Sequence, residues 1–226
     1  MPPLAADPAD DQINPYRHRV RLFPGRIFLL EGDEAEEREL RSLIDPSSRP
    51  LLELGSGSGQ HLLELSRRNP GAQCFGFELR YKRTVRTIEK AERDGLAQVF
   101  LLRTDARRAV KLFPEGCVGG IFVNFPDPWA KPKQWKHRLL SPRLLEDAHR
   151  LLAPDGFIAV KTDHEDMYGA FLGQVADQRV FRVDERSDDL AHDPLQSQNI
   201  LTEFETMFRS KRHPIRYVRL VRDPEA

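Results

Sequence analysis

The chain has 226 residues, and 35 Lys plus Arg balance 35 Asp plus Glu, so its formal net charge is zero. That length suits one α/β domain with a real core, and the neutral balance excludes a whole-protein positive field, so any grip on a polyanion must come from local patches. Cys74 and Cys117 fit neither a metal spacing nor a disulfide framework. No apolar run approaches the ~20 residues of a membrane span, and the first residues lack the basic and apolar parts of a secretory signal. A soluble, cytoplasmic protein is expected.

Residues 1–15 are rich in Pro, Ala and Asp and have no period, which predicts a loose tail. Arg17, His18, Arg19, Arg21 and Arg26 then make a basic stretch. Residues 1–30 together are expected to be a basic, partly disordered tail, followed by a single domain over 31–226. Glu31, Asp33, Glu34, Glu36, Glu37 and Glu39 run into a predicted helix that ends before Pro46, and a solvated face is the plain reading of such a run. From residue 50 strands and helices alternate. Leu51–Leu54 reads as an apolar strand broken by Gly55, Gly57 and Gly59, and His61–Arg68 as a helix with Leu62, Leu63 and Leu65 inward. Cys74–Phe77 is a second strand, Arg80–Arg93 a charged helix, Val99–Leu102 a third strand and Gly120–Asn124 a fourth. Pro142–Leu152 reads as a helix stopped by Pro154 and Gly156, Phe157–Val160 as a fifth strand and residues 167–176 as a helix. Val180–Val183 and Ile215–Val221 alternate as late strands. This order predicts an α/β fold with a doubly wound, mostly parallel sheet and one antiparallel strand.

Glycines between a strand and a helix let a ligand lie against bare backbone at a helix N-terminus. Here the order is Gly-x-Gly-x-Gly, and Gln60 stands where the dinucleotide fingerprint would put its third glycine, which weakens a nicotinamide or flavin reading. Glu53 precedes the glycines, Glu78 follows the second strand and Asp105 the third. Acids at the ends of three successive strands suit a nucleoside that carries an amine and no phosphate, and S-adenosylmethionine has that character. After the fourth strand comes Asn124-Phe125-Pro126-Asp127-Pro128-Trp129. Its prolines stiffen the turn and fix where Asp127 points. An acidic acceptor beside aromatic rings suits a base, and the trailing Lys131, Lys133, Lys136 and Arg138 suit phosphates. Thr162-Asp163 ends the fifth strand at the carboxyl edge, where open α/β sheets bind ligands. Thr202-Glu203-Phe204-Glu205 follows a polar loop (187–198) long enough to cover the site, and Thr202 with Glu205 also reads as a capping box. The histidines lack metal-ligand spacing, and there is no nucleophile elbow or Walker lysine, so no metal is expected.

Taken in order, Glu53-x-Gly55-x-Gly57-x-Gly59, Glu78, Asp105, Asn124–Trp129, Thr162-Asp163 and Thr202-x-Phe204-Glu205 closely resemble the bacterial tRNA (guanine-N7-)-methyltransferase family over about residues 50–222. The resemblance implies the class I methyltransferase (Rossmann-like) fold with a seven-stranded sheet and S-adenosyl-L-methionine as methyl donor. It also implies tRNA as partner, with no obligatory protein partner, and N7-methylguanosine in the variable loop as product. By that similarity Glu53, Gly55, Gly57, Gly59, Glu78, Asp105, Asn124 and Asp127 would contact the methyl donor. Asp127 would also be the catalytic-site acid, and Lys131, Asp163, Thr202, Glu203, Phe204 and Glu205 would hold the guanosine. The family's basic stretch maps onto Lys133, Gln134, Trp135, Lys136, His137 and Arg138, and this chain departs from it at Gln134, Trp135 and His137.

Guanine N7 carries an in-plane lone pair and no proton, so its methylation asks for alignment and for stabilisation of a developing cation, not for a base catalyst. O6 on the same edge offers only acceptors. A carboxylate, Asp163 or Glu205, is therefore expected on the Watson–Crick edge, with Asp127 near the reacting centre. Two other readings stay open. One is methylation of an exocyclic amine of adenine or cytosine, whose enzymes use a similar turn at the same strand end. The other is a non-catalytic RNA-binding module, which the acids at 53, 78 and 105 disfavour.

Overall fold

Short apolar strands alternating with amphipathic helices bury both faces of a sheet by laying helices across each face. The computed structural model, which describes residues 14–129 and 131–223, is built this way. The described residues form α1 (Pro15–Arg19), β1 (Ile27–Phe28), α2 (Glu34–Leu43), β2 (Leu51–Leu54), α3 (Gln60–Arg68), β3 (Cys74–Phe77), α4 (Tyr81–Arg93) and β4 (Val99–Leu102). They continue with α5 (Ala106–Ala109), β5 (Val118–Asn124), α6 (Pro142–Leu151), β6 (Leu152–Thr162), α7 (Glu165–Gln178), β7 (Phe181–Ser187), α8 (Glu203–Ser210) and β8 (Arg216–Arg222). The strands make one sheet in the order β1-β4-β3-β2-β5-β6-β8-β7. β8 runs antiparallel to both its neighbours, and the other pairings are parallel. The winding reverses between β2 and β5, the switch point at which open α/β sheets take ligands.

β2, β3 and β4 are buried along their whole length, as strands covered on both faces must be. On one face Leu52, Leu54, Phe75 and Phe77 share a core with Leu145 and Leu151 of α6 and Phe171 of α7. On the other, Leu51, Cys74 and Val99 share one with Leu62 and Leu65 of α3 and Val85 and Ile88 of α4. Each such side chain contributes about 1.5–3 kcal/mol on burial. The two cores therefore hold the carboxyl ends of β2 to β6 as a firm rim. No described helix is long and apolar enough to cross a membrane.

The structure corrects the expected tail. Residues 1–13 lie outside the described residues, but 14–30 pack onto the body. Ile27 and Phe28 pair in parallel with Leu101 and Leu102 at the sheet edge, which makes eight strands where seven were expected. Arg26 fixes that edge by donating to the carbonyls of Val99 and Leu96, both at 2.9 Å. The apolar run Ile27–Leu30 pairs only through its first two residues, and it lies outside the βα alternation from which the strands were read. The acidic run is also more than a solvated face, because Glu36 accepts from the amides of Leu29 (2.5 Å) and Leu30 (2.7 Å) just past β1. Pro154 and Gly156 do not separate α6 from a later strand. β6 begins at Leu152, and its pairing jumps from Val118–Leu152 to Gly120–Phe157, so the intervening residues bulge outward with Pro154 and Asp155 exposed.

Candidate active site

Three segments meet at the carboxyl rim of β2, β5 and β6. The first is the glycine turn after β2, where Gly55, Gly57 and Gly59 have φ of 87°, 54° and 77°. Only glycine adopts these values without steric cost. Gly59 also caps α3, and a Cβ there would stand 2.3 Å from Cγ2 of Thr87 on α4, so the turn and the helix behind it are pressed together. Glu53 is buried just below. Its Oε1 accepts from Asn124 Nδ2 at 2.9 Å and lies 3.2 Å from His61 Nδ1, while its Oε2 is buried with no partner. Glu78 accepts from the Arg80 amide at 2.8 Å through Oε1, and its Oε2 lies 3.8 Å from Arg83. The sequence reading of these two acids as ligand acceptors fits this geometry. An orphaned buried carboxylate oxygen suits an ammonium group, and Glu78 keeps an oxygen free of close hydrogen bonds for a ribose hydroxyl.

Asp105 is less available than expected. It caps α5 by accepting from the Arg107 amide at 3.0 Å, and it takes Arg107 Nε at 3.0 and 3.1 Å on its two oxygens. Burial alone would raise its carboxyl, but the hydrogen bonds from Arg107 hold it below the usual carboxylate range. A ligand amine at this position has to compete with that guanidinium.

The second segment is the turn after β5. Phe125 and Trp129 bracket the Pro-Asp-Pro sequence with φ of 50° and 43°, values that cost a non-glycine residue about 1–2 kcal/mol each. Asp127 is exposed between them, and no hydrogen bond or ion pair from the described residues engages its carboxylate. Arg138 holds the turn from below: its Nε donates to the Pro128 carbonyl at 2.8 Å and its guanidinium lies 4.8 Å from the Trp135 ring. His137 packs against Trp129 with ring centroids 5.4 Å apart. The stretch 133–138 thus divides. Lys131, Lys133, Trp135 and Lys136 are exposed on and beside a 3₁₀ helix (Pro132–His137), Gln134 is half-buried, and His137 and Arg138 serve the turn itself.

The third segment is α8. Thr202 caps it by accepting from the Glu205 amide at 2.9 Å, which is half of the predicted capping box. The other half is absent, because Glu205 points inward and is fully buried. Its Oε2 receives Lys161 Nζ at 2.8 Å, and its Oε1 receives Asn199 Nδ2 at 2.6 Å and the Arg209 guanidinium. Both oxygens thus face donors of this chain. Glu205, one of the two carboxylates expected on a Watson–Crick edge, is therefore engaged within the chain. Asp163 is half-buried just past the end of β6, and among the described residues only its backbone carbonyl is engaged, by Arg216 at 3.2 Å. Phe204 is 39% exposed, Glu203 is exposed and Thr202 is buried.

Lys161 escaped the sequence reading. It extends an apolar strand and is buried; burial pushes its ammonium down against the opposing pull of Glu205. A lysine continuing the run Phe157–Val160 was the available signal, since a cation there needs a buried partner. Phe208 was missed as well; its ring stacks on Phe125 at 5.5 Å and 24°. A cavity of about 190 Å³ lies on the sheet beside these groups, lined among others by His61, Asn124, Lys161, Asn199 and Tyr217.

Comparison with known proteins agrees with this picture. A family model described as "Putative methyltransferase" matches residues 48–218. A tRNA (guanine-N(7)-)-methyltransferase of Lachnoclostridium phytofermentans is 30% identical over 214 residues, spanning 92% of this chain and 100% of the relative. One from Oceanobacillus iheyensis is 32% identical over 188 residues, spanning 83% and 87%. Among solved structures, the 16S rRNA methyltransferase KamB superposes with a TM-score of 0.58 at 17% identity, covering 85% of this chain and 95% of its own, a likeness of fold alone.

Proposed function

This chain belongs to the tRNA (guanine-N(7)-)-methyltransferase family, and from that premise we propose that it methylates N7 of a guanosine in the variable loop of tRNA, using S-adenosylmethionine. The observation that carries the reading is Asn124. Its side chain donates to Glu53 in the glycine-turn half of the cleft, while its backbone leads directly into the turn that presents Asp127. One residue thereby couples a donor pocket to an acceptor site.

S-adenosylmethionine supplies, when bound, a methyl group on a sulfonium. Glu53 would take the ligand's ammonium on its orphaned oxygen, Glu78 the ribose hydroxyls, and the bare backbone of Gly55–Gly59 lets the ligand approach closely. The N7 lone pair makes the new N–C bond as the S–C pair returns to sulfur, and the purine gains a positive charge. No residue has to remove a proton first. Asp127 favours the emerging cation, and being exposed and without a partner among the described residues it is free to face it. With Glu205 committed elsewhere, Asp163 is the carboxylate left to accept from the N1–H and amino group of guanine. Lys131, Lys133 and Lys136 supply phosphate contacts and Trp135 a ring for stacking. A tRNA substrate places the reaction in the cytoplasm.

The test is to incubate the protein with methyl-labelled S-adenosylmethionine and unmodified tRNA, digest the RNA and identify the labelled nucleoside. 7-Methylguanosine is expected. N6-methyladenosine, or no labelled product, would defeat the reading.

A further inference from the structure

We infer that Lys161 and Glu205 are positioning residues: a buried charged strut that sets the seat of the acceptor base without touching it. The contacts close into a ring. The Lys161 carbonyl accepts from the Phe125 amide at 2.8 Å, and so holds the residue that opens the positive-φ turn. The same lysine's Nζ holds Glu205 at 2.8 Å, the Ile200 carbonyl at 2.7 Å and Asn199 Oδ1 at 3.0 Å. Glu205 lies in the first turn of α8, one helical turn before Phe208. Phe208 returns to Phe125 through the 5.5 Å stack, and Phe204 lies 6.4 Å from Phe125 at 35°. Backbone, stack, helix and ion pair therefore join Phe125 to α8 through one lysine.

Burial gives this ring its stiffness. Glu205 is 0% exposed and the Lys161 side chain 5%, so neither can turn to water if the other leaves: Glu205 would keep Arg209 on Oε1 but its Oε2 would lose its donor, and Lys161 would keep only neutral acceptors. A buried cation without its carboxylate, or a buried carboxylate oxygen without its donor, is costly enough to displace the segment that carries it. Displacing α8 moves Phe208 off Phe125, and Asp127 lies two residues beyond Phe125. A shift of about 1 Å at a reacting centre is enough to cost about 10²-fold in rate. Lys161 is also within electrostatic reach of Glu53, so the strut stands where the donor and acceptor halves of the cleft meet.

This inference rests on the methyltransferase reading, and the experiment separates the two. Glu205→Gln, Lys161→Met and the double variant are compared with wild type for kcat and KM toward tRNA, for S-adenosylmethionine affinity and for tryptic cleavage at Arg209 in the last turn of α8 and at Lys211 and Arg212 just beyond it. Each single variant is expected to lose at least about tenfold in kcat/KM while donor affinity changes less than about twofold. The double variant buries neither charge, and Arg209, whose side chain is 22% exposed, can turn to water, so it is expected to regain at least half of the logarithmic loss and to resist trypsin better than either single variant. A base-contacting Glu205 gives the opposite pattern: Lys161→Met stays near wild type, and the double variant is no better than Glu205→Gln. That pattern overturns the inference. Should the single variants fail to fold, Phe208→Leu keeps the apolar face of α8 and breaks only the stack; wild-type kcat/KM in that variant would also overturn it. A wild type that methylates no tRNA defeats the methyltransferase reading alone, because the cleavage pattern still reports the strut.

Discussion

The two halves of the cleft hold unusual backbone in opposite ways. At the glycine turn every residue with positive φ between Gly55 and Gly59 is glycine, so the conformation costs nothing in side-chain clash. At the acceptor turn the positive-φ residues are Phe125 and Trp129, each strained by about 1–2 kcal/mol. The first half is shaped by absent side chains and the second by packed ones: Phe208 on Phe125, His137 on Trp129, Arg138 on the Pro128 carbonyl. On the proposed reading, a donor turn of bare backbone, with Glu53 and Glu78 as its acceptors, suits a ligand that is the same in every turnover. A base seat made of side chains can place one carboxylate accurately, at the cost of depending on residues far away in sequence.

The largest expected effect falls on the glycine half. Gly59→Ala meets both a left-handed φ and Thr87 at 2.3 Å, so it should destabilise the fold by about 3 kcal/mol, the sum of the conformational and overpacking costs. Thermal melting reads this directly, and an unchanged melting temperature would mean that α3 and α4 separate more easily than the packing implies. Next is Asp127→Asn, which keeps shape and removes charge. It should lower kcat by about 10²-fold with the melting temperature and donor affinity preserved, as loss of a charge-stabilising group does; near-wild-type turnover would remove Asp127 from the chemistry. Phe125→Gly then sets strain directly against packing. Relief of about 1 kcal/mol offsets much of the lost stacking, so stability should change less than in Gly59→Ala while kcat/KM falls about tenfold. Equal losses of stability in the two variants would erase the contrast between the halves.

The same contrast decides what could be read in the sequence. Glycine announces a positive φ, so the left-handed turn at Gly55, Gly57 and Gly59 was legible, and the proposed roles of Glu53 and Glu78 rest on acids placed at strand ends. The β2–β5 alternation, the Phe157–Val160 part of β6 and the antiparallel β8 were legible too, because period and length separate buried strands from helices over four to seven residues. The acceptor half was legible only as a motif. Nothing local shows that Phe125 is left-handed, since that depends on Lys161 some 36 residues later. Glu205 reads equally as cap, ligand or ion-pair partner, and only the fold brings Lys161 beneath it. Ile27–Phe28 was missed for the reverse reason: an edge strand of two residues carries almost no pattern, and its partners at 101–102 are remote.

The smallest expected effect tests whether the donor half really depends so little on side chains. Arg107 binds Asp105 and holds its carboxyl low. A carboxyl lowered in the folded state adds stability that is present above the unfolded value, near pH 3.9, and is lost as pH falls through the folded value. Removing the guanidinium in Arg107→Met brings the folded value back toward the unfolded one. The variant should therefore lose a little stability at neutral pH and show a flatter decline between pH 4 and the folded value, measured by urea unfolding at several pH values. Because the same change frees a carboxylate oxygen at the rim, S-adenosylmethionine should bind no more weakly than to wild type in calorimetry. A clear loss of donor affinity would show that Arg107, not the backbone, organises this end of the cleft, and the two halves would then differ in degree and not in kind.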